Sequence, residues 1–190
     1  MLQPEQERRL LEQSHSNPEA FRELYRAYFP RVYGYVAARM EHRGDAEDVT
    51  ADIFVRVVES LDRFEYRGEG SFAAWLFRIA QNHVNDFYRT IQRKGEPLPL
   101  SDIHDIASEA VAPDTSVIEQ ERNARLRQMI ETLSPRRQEI IRLRFFAGLR
   151  NQEIAAVLGL DERTISAHLC RALEDLQAKY SHELDEEIQS

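Results

Sequence analysis

The stretch from Asn151 to Leu176, NQEIAAVLGLDERTISAHLCRALEDL, constrains this chain more than any other part of it. It reads as two short helices around a tight turn. Asn151 is placed to cap the first helix, Gly159 sits where the chain needs positive φ, and Asp161 is placed to cap the second. Ile165, Leu169, Ala172, Leu173 and Leu176 fall on one stripe at helical spacing. Ile154, Ala155 and Leu158 form the inward side of the first helix. Arg163, Ala167, Cys170, Arg171 and Glu174 occupy the opposite face of the second, with Ser166 and His168 at its margins. A helix seated by its apolar stripe, with small and basic residues outward, suits a helix-turn-helix reading the major groove. The same pattern also fits a plain αα-hairpin in a helical core.

The upstream chain repeats the helical pattern. Phe21, Leu24, Tyr25, Tyr28, Phe29, Val32, Tyr33 and Val36 recur at helical spacing after Asn17, a plausible N-cap, and Pro18. Pro30 interrupts that run and predicts a kink or a break. Asp45 is expected to cap the next helix, whose inward stripe is Val49, Ile53, Val57 and Leu61. Acids Asp45, Glu47, Asp48 and Asp52 crowd its first turns. They suit the helix dipole, and equally a docking face for a basic partner. A two-glycine loop, Glu65 to Gly70, leads to Ser71 as an expected N-cap. Behind it come Phe72, Trp75, Leu76, Ile79, Val84 and Phe87 on one side, and Arg78, Asn82, Asn85, Asp86, Arg89, Arg93 and Lys94 on the other. Aromatic residues followed by Asn and Arg suit unstacked bases and a phosphate backbone, although a tryptophan such as Trp75 is more often simply core.

From Gly95 to about Ser116 the periodicity fails. Pro97, Pro99 and Pro113 accompany Asp102, Asp105, Glu109 and Asp114, the signature of an acidic linker. Helical spacing returns from Ile118 to Leu133, and Ser134-Pro135 opens a further helix that Gly148 ends. Arg136, Arg137, Arg142, Arg144 and Arg150 stand near the helix-turn-helix and fit phosphate contacts. The tail SHELDEEIQS is acidic and expected to fray.

Net charge, −8, argues against a free-standing DNA binder, but its distribution matters. Residues 125–180 carry 10 basic and 7 acidic side chains, so the C-terminal module is mildly positive once the tail is set aside. Phosphate neutralisation of that size gives modest affinity and calls for a partner to hold the protein on DNA. A single cysteine, Cys170, leaves neither an internal disulfide nor a cysteine metal cluster, and six scattered histidines show no ligand spacing. There is no glycine-rich phosphate loop and no nucleophile–base–acid set, so neither enzyme chemistry nor a cofactor is expected. No apolar run approaches a membrane span and the N-terminus lacks a signal core, which predicts a cytoplasmic protein without membrane insertion.

Order and motifs together resemble the extracytoplasmic-function group of bacterial sigma factors, the promoter-recognition subunits of RNA polymerase. The segments FRELYRAYFPRVYGYV, DAEDVTADIFVRV, FEYRGEGSFAAWLFRIAQNHVNDFYR and LSPRRQEIIRLRFFAGLRNQEIAAVLGLDERTISAHLCRALEDL carry the likeness. The last alone also fits regulators of the LuxR type that bind operators directly; the N-terminal half separates the two. The resemblance implies an all-α chain of two small domains: residues 1–94 for the polymerase clamp and −10 element, a linker over 95–117, a helix-turn-helix domain over 118–180 for the −35 element, and an acidic tail over 181–190. It places Asp48 and Asp52 on the polymerase-docking helix. Arg67, Ser71, Trp75, Asn82, Asn85, Asp86 and Arg89 fall in the part that melts the −10 element and captures a flipped base. Arg163, Ser166, Ala167, His168, Cys170 and Arg171 fall on the helix that reads the −35 element. Implied partners are core RNA polymerase, promoter DNA and an anti-sigma factor, the implied setting a stress response; the linker would thread the polymerase cleft as a nucleic-acid mimic. One departure stands out. Where the family often carries two basic residues around a small one, this chain has Ser166-Ala167-His168, so −35 affinity should rest on Arg163 and Arg171. Cys170 fits a thymine methyl contact or a small exposed residue.

Overall fold

Proline fits the first turn of a helix because the N–H it lacks would have no partner there. Among the described residues three helices begin that way, at Pro4, Pro18 and Pro135. The computed structural model describes residues 2–40, 42–94 and 125–189. Pro4 opens α1 (Pro4–Ser14) and Pro18 opens α2 (Pro18–Ala37). Asn17 caps α2 as expected, its side chain accepting from the Glu19 N–H at 3.0 Å. The helix then runs unbroken through Pro30. An interior proline costs about 3 kcal/mol, and the expected break is absent because Tyr28 and Val32, both buried, anchor the helix on either side. Helix α1 has no counterpart in the sequence reading. It packs on α2 through buried Leu10 and Leu11, and the Tyr28 hydroxyl donates to the buried Glu7 carboxylate.

Helix α3 (Arg43–Ser60) starts three residues earlier than Asp45 as a cap predicts, with His42 at its N-cap. Asp45 therefore lies in the first turn, where it favours the dipole without capping. Its stripe of Val49, Ile53 and Val57 is buried, and Leu61 continues it in a 3-10 turn (Leu61–Arg63). Ser71 is the first residue of α4 (Ser71–Lys94), not its cap. Its hydroxyl turns back into the glycine loop, accepting from the Arg67 N–H at 3.2 Å and donating to the Gly68 carbonyl at 2.6 Å.

The C-terminal half comprises α5 (residues 125–131), α6 (Pro135–Ile141), a π turn (Arg142–Phe146), α7 (Asn151–Leu158) and α8 (Glu162–Gln189). Every regular element among the described residues is helical. The linker over 95–117 and the expected helix start at Ile118 lie outside them. The tail expected to fray continues α8 as helix to Gln189.

The two halves share one core. Val32, Tyr35 and Phe77 from the first pack with Ile140, Leu143, Leu149 and Ile154 from the second. The core that the C-terminal half keeps to itself is small: Ile130, Leu133, Ile141 and Ala172. At two of the glycines where the halves meet there is no room for a side chain. A Cβ on Gly34 of α2 would stand 3.1 Å from the Phe146 carbonyl oxygen, and one on Gly70 would stand 2.9 Å from the Glu153 side chain. Gly70 also has φ of +79°, a second reason for glycine there.

Polar contacts pin the same seam. Glu139 of α6, 9% exposed, inserts its carboxylate between Tyr35, Arg39 and Gln81. It accepts from the Tyr35 hydroxyl at 2.6 Å and from Arg39 and Gln81 at 3.0 Å each. Burial beside this carboxylate pushes the Tyr35 hydroxyl pKa well up, so it stays a donor. Arg31 donates to the Ala147 carbonyl at 2.8 Å, and Arg150 reaches across to Glu69 at 2.5 Å.

Candidate nucleic-acid interface

Helix α8 is set by its own cap and by α7. Asp161 accepts from the Thr164 N–H at 2.8 Å and from its hydroxyl at 2.6 Å, which holds the Asp161 carboxyl below the usual range. Gly159, with φ of +66°, makes the turn. Asn151 does not cap α7. The N-cap is Arg150, whose N–H is met by the Glu153 carboxylate at 2.7 Å. Asn151 instead donates to the Ser166 hydroxyl at 3.0 Å, tying the two helices of the motif together. Ile165 and Ala172 are fully buried, worth roughly 1.5–3 kcal/mol for a side chain of the size of Ile165. Leu173, expected in that stripe, is 43% exposed because the inward arc is narrower than the periodicity implies.

Arg163, Ser166, Ala167, Cys170 and Arg171 form a continuous exposed surface, while His168 is half-buried at its edge. Its Nδ1 is buried without a hydrogen bond. Cys170 contacts the Glu174 carboxylate at 3.2 Å, and this pushes the thiol pKa up, so it presents a neutral small group.

In α7, Val157 is buried and Leu158 only half-buried. The reason is a second neighbour: α7 lies against α4 as well as α8. Arg78 of α4 donates to the Ala156 carbonyl at the exposed edge of this contact.

The residues expected at the −10 element divide into three places. Arg67, Ser71 and Trp75 line a recess of about 480 Å³ together with Arg63, Phe64, Arg78 and Ala156. Trp75 packs on Phe64 and Phe72, with ring centroids 4.9 and 5.7 Å apart, and stays half-buried, so it is both core and lining. Asn82 and Asp86 line a groove with Asp52 and Val55 of α3, where Asp86 pairs with Arg89 at 2.9 Å. Asn85 faces the other way and accepts from Arg39 at 2.9 Å, beside the buried Glu139. Arg63, Phe64 and Arg78 were missed as recess residues. Arg78 was legible, one helical turn before Asn82, whereas Phe64 and Arg63 reach the recess only because the 3-10 turn brings them back.

Asp48 and Asp52 are exposed on α3, with Val55 and Val58 exposed near them at 57% and 54%. That mixture of acid and bare valine fits a partner surface better than a purely solvated face. The arginines expected to contact phosphate are largely committed elsewhere: Arg137 pairs with Asp175, Arg144 donates to the Leu149 carbonyl, and Arg150 pairs with Glu69 and Glu153. Arg136 alone of the five is without a hydrogen bond or ion pair while exposed.

Known proteins share this arrangement. Residues 24–94 match the model of sigma-70 region 2, and residues 123–176 that of sigma-70 region 4. The chain is 34% identical over 158 residues to the ECF RNA polymerase sigma factor BldN of Streptomyces coelicolor, covering 83% of this chain but 59% of that protein's length. It is 32% identical to the ECF RNA polymerase sigma factor RpoE of Cereibacter sphaeroides, covering 88% and 90% of the two. Among solved structures it resembles CnrH in complex with the cytosolic domain of CnrY (TM-score 0.70, 25% identity, 93% of this chain and 98% of that one). It also resembles the sigma factor RpoE of Bartonella quintana in complex with the anti-sigma factor NepR (TM-score 0.59, 26% identity, 83% and 94%). The chain belongs to the ECF RNA polymerase sigma factors.

Proposed function

We propose that this sigma factor docks on core RNA polymerase through the Asp48 and Asp52 face of α3 and brings it to promoters with two grips on DNA. The first is the recess under Trp75, where aromatic rings and three arginines suit an extruded base and its backbone. The second is the outer face of α8 at the −35 element, where Arg163 and Arg171 supply the charge. The recess is the observation that carries the reading. Flipping a base costs a few kcal/mol, and stacking on an aromatic ring returns about 1–3 kcal/mol. The protein supplies binding and strand separation, with no catalytic group of its own, and works in the cytoplasm. A partner of the anti-sigma kind, such as the Bartonella relative carries, is part of the reading.

The docked arrangement is not the promoter-bound one. Elements named 25 positions apart are roughly 85 Å apart along B-DNA, and α4 is about 36 Å long at 1.5 Å per residue. Helices that share a core cannot reach both elements, so the halves must separate on the polymerase. Transcription run-off with purified bacterial core polymerase on a library of genomic promoters tests the proposal. Initiation from a defined promoter only when this chain is added is the expected result. Tight operator binding by the chain alone, with no initiation, would instead make it a direct regulator of the LuxR type.

A further inference from the structure

A cavity of about 300 Å³ lies on the seam between the halves. The end of α2 and Tyr88 of α4 form one wall; α5, Gln138 of α6 and the π turn form the other. Three arginines line it: Arg39, Arg127 and Arg142. Arg39 is spoken for by Glu139 and Asn85. The other two are not. Arg142 makes one hydrogen bond, to the neutral Gln138 side chain at 3.1 Å, and Arg127 makes none. Both are partly buried, and neither has an ion pair within 4 Å. Glu131 is the one carboxylate among the lining residues. With Arg39 matched by Glu139, Arg127 and Arg142 stand against Glu131 and leave the cavity positive by one charge.

Partly desolvated cations without a close ion pair are costly and are normally paired or neutralised. Burial pushes the pKa of both arginines down, and the neighbouring charge of Arg39 adds to the effect at Arg142, against the weaker attraction of Glu131 on Arg127 and of Glu139 on Arg142. Two forked guanidiniums facing one space match the oxygens of a phosphate bidentately, better than a single carboxylate would. Phe146, Ile130 and Met40 give the rest of the cavity an apolar wall. Its volume is at the small end of ligand sites.

We infer that this seam cavity binds a small phosphorylated metabolite carrying at least two negative charges, with its phosphates on Arg127 and Arg142. Because the walls come from both halves, the ligand stabilises the docked arrangement. By linkage it then opposes any activity that requires separation. That last consequence rests on the sigma-factor reading; the binding does not.

The test uses the full chain alone, with inorganic pyrophosphate and adenosine diphosphate as probes against sodium sulfate at matched ionic strength. At about one hundred times the dissociation constant, the melting midpoint should rise by about 5–10 °C. The rise should vanish in Arg127→Gln and in Arg142→Gln, while both variants melt no lower than the parent without ligand. Pyrophosphate as effective as the nucleotide would mean that the phosphates alone are read; a nucleotide preference would mean that the apolar wall is used too. Equal shifts with sulfate, or a shift retained in both variants, overturn the site. So does binding seen with duplex oligonucleotide but with neither probe. Arg127 is partly exposed, so its variant keeps the experiment readable if Arg142→Gln does not fold.

Discussion

Replacing Glu139 by alanine should undock the two halves without unfolding either. All three donors to this carboxylate, on Tyr35, Arg39 and Gln81, belong to the N-terminal half, while Glu139 itself sits on α6. In a separated form Glu139 and Arg39 are both solvated, so the substitution acts on docking. Breaking one partner out of a buried ion pair costs about 3–5 kcal/mol. The Arg39 and Glu139 side chains are 15% and 12% exposed, and Arg39 keeps Asn85 and the Tyr35 hydroxyl, which favours the low end. About 3 kcal/mol is a shift of roughly 150-fold in the docking equilibrium at 1.36 kcal/mol per decade. Glu139→Gln keeps the shape and loses the charge, and should cost about half as much. Energy transfer between a dye on the exposed native Cys170 and one on Glu12→Cys in α1 reports the separation. Transfer should fall in Glu139→Ala while far-ultraviolet dichroism stays unchanged. A double-mutant cycle with Arg39→Ala isolates the pair. Unchanged transfer in Glu139→Ala, or strictly additive effects with Arg39→Ala, would refute the latch.

Three further outcomes follow from the same geometry. Arg171→Ala should weaken −35 duplex recognition by roughly 5- to 100-fold in polymerase-dependent footprinting while leaving polymerase affinity unchanged; loss of polymerase affinity would contradict its place on the DNA face. Asp48→Arg combined with Asp52→Arg should lower affinity for core polymerase by about tenfold or more in a sedimentation or fluorescence assay, and an unchanged affinity would return that face to helix stabilisation. Glu7→Gln should raise stability at neutral pH in denaturant titrations. Burial raises the Glu7 pKa, and repulsion from Glu153 and Glu69 adds to it, against the opposing Tyr28 hydrogen bond and Arg31. A raised carboxyl pKa means the native state holds its proton longer than the unfolded chain, so this group's penalty grows as pH climbs from 4.5. The advantage of the glutamine should therefore appear above that pH and vanish below it; an advantage constant with pH would refute the assignment.

What the sequence determined by itself was local. The order of helices after α1, the Asn17 and Asp161 caps, the turn at Gly159 and most of the inward stripes of α2, α3 and α8, though not Tyr25 or Leu173, are set by neighbours three and four residues apart. The family likeness was carried by the same short segments. Cap positions were less secure: Asn151 and Ser71 look like caps, but nearby acceptors, the Ser166 hydroxyl and the Gly68 carbonyl, reassign both. Tertiary structure decided the rest. Ile154 and Ala155 read as one module's core, yet they and Val157, which the sequence pattern passed over, are buried in a core shared with the other half because α6, the π turn and α7 make too small a core alone. For the same reason Glu139, an ordinary polar residue in its helix, becomes a buried latch. Of the arginines on the seam cavity, Arg39 is paired with Glu139, and Arg127 and Arg142 have no ion pair. No periodicity within one helix reports a charge whose partner lies a hundred residues away.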